Sequence, residues 1–181
     1  MFMFKQINSE QIILDRKFQG MCTLPFHGHA KGCPNFGKKH GCPPCSLLES
    51  DLFDFSRDLF VIYTAFNVGE FAERLRQKHP KWANFPRQWY NPRLWQPQAR
   101  AMHKKDIKEF LTICPEMFID YSAEARGVNY TELMKSIGIT LDWRWPPLHV
   151  LEDDQYKKNL TYRISLAGFL KDSLRLAPDY L

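Results

Sequence analysis

The chain has 181 residues, of which 44% are apolar and 25% charged, and its formal net charge is +5. It is long enough to bury a core, and its composition excludes a disordered or fibrous protein. No apolar run reaches the ~20 residues of a membrane helix; the longest, Leu59 to Val68, is interrupted by Thr64 and Asn67.

The N-terminal MFMFKQINSE lacks a charged stretch followed by an apolar one, which predicts no signal peptide and a cytoplasmic protein. Ile12 to Phe18 alternates through Ile12, Leu14, Arg16 and Phe18, the period of a strand. Residues 19–48 are rich in Gly, Pro, Cys and His and predict a long irregular loop. A loop of ~30 residues inside a compact domain needs an organiser, and a bound metal is a natural one.

Leu59 to Phe66, β-branched and aromatic, predicts a buried strand. Asn67 follows as a helix cap, with Glu70 three residues on. Val68, Phe71, Ala72 and Leu75 form the apolar stripe of that helix, and Pro80 stops it. Pro80, Pro86, Pro92 and Pro97 predict an extended or turn-rich stretch. A second helix is predicted from Gln98 to Ile113, with Met102, Ile107, Phe110, Leu111 and Cys114 on or near one face. A third, Asn129 to Ile137, repeats the Asn-x-x-Glu start and ends at Gly138. Ile139, Leu141, Trp143 and Trp145 alternate as a strand before Pro146-Pro147, and Leu160 to Gly168 alternates similarly.

These elements mix without regular βαβ alternation, so the predicted class is α+β. The expectation is a single compact domain over 1–181. It has a small, mostly antiparallel sheet, about three helices and a Cys-rich, metal-organised N-terminal loop.

Four of the five cysteines fall in that loop, as Cys22, Cys33, Cys42 and Cys45. In a reducing compartment such a cluster points to metal or redox chemistry rather than disulfides. Four thiolates can complete a zinc shell or ligate a 4Fe–4S cluster. Zinc sites favour two close ligand pairs, and only Cys42 and Cys45 form one. Cys33 and Cys42 each precede a proline, as cluster ligands of ferredoxins also do. Iron–sulfur is the leading expectation and Zn2+ the alternative, in which His27, His29 or His40 replaces a thiol. Cys114, on the apolar stripe of a predicted helix, reads as core. Cys42-Pro-Pro-Cys45 lacks the βαβ context of a thioredoxin-like redox pair.

The run Cys33-Pro-Asn-Phe36-Gly37 followed by Cys42-Pro43-Pro44 resembles the signature of a family of cysteine-rich predicted metal-binding proteins of unassigned function. The resemblance covers about the first third of the chain. It implies metal binding, with iron–sulfur as one form, and supplies no reaction. The family pattern places a further Cys about three residues before Cys33, where this chain has Ala30. That departure puts the ligand set in question, with Cys22 as the substitute and Cys45 as an addition.

Residues 74–105 carry nine Lys/Arg, no acid and three of the five tryptophans. Bases can stack on Trp and Tyr while Arg and Lys meet phosphates. Arg87, Trp89, Tyr90, Arg93 and Trp95, with Lys38 and Lys39 of the cysteine loop, are therefore candidate contacts. Their ligand would be RNA, single-stranded DNA or a nucleotide-like molecule. The competing reading packs the tryptophans into the core under arginine stems. No phosphate-binding glycine loop, Gly-x-Ser-x-Gly elbow or His-Glu-x-x-His pair is present. Two functions stand at this point. One is an iron–sulfur protein with redox or sulfur chemistry on an anionic or nucleic-acid-like substrate. The other is a zinc-stabilised, non-catalytic nucleic-acid-binding or adaptor module.

Overall fold

The structure is a computed structural model and describes residues 3–25, 29–38, 41–82, 85–141 and 159–175. Within these, the fold is α+β. A four-stranded sheet has the order β1-β2-β4-β3, with β1 Met3–Ile7, β2 Leu59–Asn67, β3 Phe118–Asp120 and β4 Leu160–Gly168. Strands β3 and β4 pair antiparallel, Phe118 opposite Gly168 and Asp120 opposite Leu166. The described helices are α1 Arg16–Gly20, α2 Glu49–Leu52, α3 Val68–Lys78, α4 Pro86–Trp89, α5 Pro92–Ile113, α6 Tyr130–Ser136 and α7 Asp172–Arg175. The three longest are the three the sequence predicts. The others span four or five residues each.

The caps explain where the long helices start. The Asn67 side chain accepts the Glu70 backbone N–H at 3.0 Å, and Asn129 does the same for Glu132 at 3.2 Å. Each satisfies one of the orphan donors of a first turn. Gly138, at φ +89°, supplies the left-handed residue that follows α6.

Two sequence expectations need correction. Residues 12–18 form no strand: Leu14 makes an isolated bridge to Val128, and Asp15 caps α1 by accepting the Lys17 N–H at 2.8 Å. A local cap outweighs a short alternation here. Helix α5 begins at Pro92, not at Gln98, and carries Pro97 inside it. Pro92 occupies the first helical position, where a missing N–H costs nothing, and the Asn91 side chain accepts the Arg93 N–H at 3.0 Å. Ile139 and Leu141 are not in a strand, and the remainder of the strand expected through Trp145 lies outside the described residues.

The chain gathers into two compact units, and it passes between them inside β2, after Ile62, and inside β4, after Ile164. In one unit, Phe66, Val68, Phe71, Ala72, Trp89, Tyr90, Trp95 and Ala99 form a continuous apolar cluster. The Phe66 and Trp95 rings stack there with centroids 5.9 Å apart. In the other unit, Leu52, Phe53, Val61, Ile62, Leu133, Met134 and Leu166 are buried. The cysteine loop belongs to this second unit.

Candidate metal centre

Helix α1 runs directly into a 3-10 turn, Met21–Thr23, that carries Cys22. The loop then returns to that turn: the Cys33 backbone N–H donates to the Cys22 carbonyl at 2.7 Å. Gly32 makes the return possible. Its φ is +80°, and a Cβ there would stand 2.6 Å from the Cys22 carbonyl oxygen and 2.7 Å from Thr23 backbone atoms. Any side chain would push the two segments apart.

Further bonds fold the rest of the loop inward. Gly37 N–H donates to Pro43 C=O at 2.8 Å, and Ser46 N–H donates to Cys42 C=O at 3.1 Å. Buried Gln19 of α1 donates to the Ser46 hydroxyl at 3.2 Å, which in turn donates to the Ala125 carbonyl at 2.7 Å. The loop is thereby anchored to the 3-10 turn Ala123–Arg126.

Burial pushes the Cys22 thiol above its ordinary value, and the neighbouring Cys33, Cys42 and Glu124 push it further in the same direction. Cys22 thus lies within electrostatic reach of Cys33 and Cys42, and Cys45 is exposed. All five cysteines are free thiols. Among the described residues, no three His, Cys, Asp or Glu side chains stand close enough together to form a metal-holding group. His27, Lys39 and His40 lie outside the described residues. The donor chemistry fits a soft metal: three free, partly buried thiols on one folded-back loop. Closing a metal shell would require the loop to tighten. That is the coupling of binding to local folding usual for small thiolate sites.

Cys22 and Cys33 also line an open cleft of about 460 Å3, together with His29, Lys31 and Lys38. No carboxylate is among its described lining residues.

The basic aromatic segment is built differently from the stacking expectation. Trp89, Tyr90 and Trp95 are 7%, 2% and 6% exposed. Trp89 Nε1 donates to the Trp82 carbonyl at 2.6 Å, and Trp95 Nε1 to the Tyr90 carbonyl at 3.3 Å. The Arg76 guanidinium lies 4.8 Å from the centre of the Trp89 ring. These three rings are core, with both indole N–H groups satisfied, and offer no face to a base. Arg93 is exposed and Lys38 is exposed, while the Arg87 side chain lies outside the described residues. Cys114 follows the end of α5 and is partly buried rather than set in the helix stripe.

Sequence reasoning missed two buried polar groups. In one, Thr64 of β2 donates to Asp106 at 2.5 Å and meets His103 Nδ1 at 2.8 Å. With the one hydroxyl proton given to Asp106, the Thr64 oxygen accepts from His103, so Nδ1 carries the imidazole proton. Burial and the charge of Arg163 push His103 down to about 4 against the opposing pull of Asp106, so the ring is neutral at pH 7. In the other, Glu49, Asp120, Arg126 and Tyr130 are all buried. Arg126 Nε lies 3.0 Å from Asp120 Oδ2. Burial, and then the charge of neighbouring Asp120, hold the Glu49 carboxyl well above the ordinary range, so it keeps its proton. The available signal for His103 was its place at four-residue spacing between Ala99 and Ile107, both buried. Glu49 sits beside Leu48 in a four-residue helix too short for any period to show.

Set against family models, curated proteins and solved structures, the chain matches none.

Proposed function

We propose that this is an iron–sulfur protein in which Cys22, Cys33 and Cys42 hold a 4Fe–4S cluster. The observation that carries the reading is the return of the loop on itself, where the Gly32 turn and the Cys33-to-Cys22 backbone bond bring the Cys33 segment back against Cys22. The Cys-Pro steps and the uneven spacing, with only one close cysteine pair, favour a cluster over zinc. When bound, the cluster supplies one-electron transfer or a Lewis-acidic iron. The chain's own residues hold the thiols together, and Lys31 and Lys38 offset the negative charge that thiolates bring. Five free thiols suit a reducing compartment such as the cytoplasm.

The test is anaerobic reconstitution of the full chain with iron and sulfide, followed by iron and sulfide counts and visible spectra. The reading expects stoichiometric cluster and broad charge-transfer absorption. Cys22→Ser, Cys33→Ser and Cys42→Ser should lose most of both, Gly32→Ala should lose part, and Cys114→Ser should match wild type. Colourless protein carrying stoichiometric zinc would replace this reading with the zinc-stabilised module.

A further inference from the structure

The geometry points to a second site, a cleft beside β3 that binds a small zwitterion with an apolar side chain, of the α-amino-acid type. The cleft has a volume of about 420 Å3 and is lined by Arg57, Glu116, Met117, Phe118, Phe169 and Leu170. All six belong to one compact unit, and none of these six lies in the cysteine loop. Backbone bonds fix the segments that frame it. Strand β3 pairs with β4, Phe118 opposite Gly168. A Cβ on Gly168 would stand 2.8 Å from a Leu59 methyl and 3.1 Å from the Phe53 ring, so β4 lies flush on the core there. The Asp54 N–H donates to the Phe169 carbonyl at 2.9 Å and ties on the turn that carries Arg57. The Met117 N–H donates to the Cys114 carbonyl at 3.3 Å, a turn that sets Glu116 on the opposite side of the chain from β2 in sequence and on the same cleft wall in space.

Recognition rests on two opposite charges over an apolar floor. Met117 and Phe169 are buried, and Phe118 and Leu170 are half-buried. Arg57 and Glu116 are exposed, and among the described residues neither makes an ion pair. Asp54, in the same turn as Arg57, is engaged elsewhere: its Oδ1 accepts the Ser56 N–H at 3.0 Å and the Ser56 hydroxyl at 2.6 Å. The Arg57 guanidinium carbon lies 3.3 Å from the centre of the Phe169 ring. Stacking uses the face of the guanidinium and leaves its in-plane N–H donors for a carboxylate. Glu116 accepts from the ammonium group, and Met117, Phe118 and Leu170 receive the side chain. A cleft of small-molecule size with both charges on its wall suits a ligand that carries both.

The experiment is calorimetric titration of the full chain with L-phenylalanine, phenylpropionate, phenethylamine and glycine. The first carries both charges and an apolar side chain, and each of the others lacks one of the three. Wild type is expected to bind phenylalanine roughly tenfold more tightly than each of the others, the scale of one charge-assisted hydrogen bond or one buried apolar group. Arg57→Gln should lose phenylalanine binding. Glu116→Gln, at an exposed position, should keep the wild-type urea midpoint and bind phenylalanine no more tightly than phenylpropionate. Wild type that binds phenylpropionate or phenethylamine as tightly as phenylalanine would overturn the zwitterion assignment. Arg57→Gln that binds phenylalanine like wild type, or wild type that does not bind it, would overturn the site itself. Each outcome is read without iron, so it leaves the iron–sulfur reading standing or falling on its own test.

Discussion

Glu49 departs from the chemistry of its type. It is fully buried beside Asp120, and neither of its carboxyl oxygens has a hydrogen-bond partner of good geometry in the side-chain packing. Its proximity to Asp120 instead lets a protonated Glu49 face a charged neighbour that Arg126 also balances. The sign of the stability effect follows. The folded state keeps the Glu49 proton, and the unfolded chain loses it above about 4.5. The folded state therefore binds more protons, and stability falls as pH rises from that value through the raised folded one. Glu49→Gln, which carries a fixed donor in the same shape, should be more stable than wild type at pH 8 by about 1–3 kcal/mol. The gain should vanish near pH 4. Urea unfolding at several pH values measures it, and a pH-independent difference would contradict the assignment.

At the scale of elements, α5 shows what the sequence could and could not reveal. The caps of α3 and α6 were legible, because Asn before a helical stripe is a local code and both Asn side chains cap as read. The start of α5 was hidden by four prolines that suggest breakage. Two of them, Pro86 and Pro92, occupy first helical positions, where proline is favoured. Its buried face runs Trp95, Ala99, His103, Ile107 and Phe110, while Met102 is 40% exposed. Ile107 and Phe110 of the expected stripe are buried, and His103 takes the place expected of Met102. His103 gives α5 a pH signature opposite to that of Glu49. With its folded value near 4 against an ordinary 6.5, the unfolded state binds more protons. Stability should fall as pH drops from about 6.5 toward 4, by of order 3 kcal/mol. Urea midpoints for wild type and His103→Gln check this: the variant should lose that part of the acid sensitivity. The cysteine loop was legible as a metal candidate, but the turn that joins Cys22 to Cys33 was not. It depends on Gly32 approaching a carbonyl ten residues away in sequence, and no local period records such a contact.

For the whole molecule, the positive charge remains after the rings have been withdrawn from its use. Helix α5 exposes Arg93, Arg100, Lys104 and Lys108 beside its buried stripe. Such a row attracts polyanions through phosphate contacts that release counterions. Titration with tRNA should show an affinity that declines steeply with salt and hardly depends on base identity. Lys104→Gln/Lys108→Gln should reduce the salt slope by about two. Binding insensitive to salt would contradict phosphate contacts along this row. Among the described residues no helix is long and apolar enough to cross a membrane. The sheet is short and charged at its edges. Its outermost strands in the described order are β1, with five residues and a central Lys5, and β3, with three. Such margins present few unsatisfied amides to a stranger and carry a charge where a ribbon would have to lie flat. Concentrated solutions of this protein should therefore resist stacking into fibrils by strand-to-strand accretion.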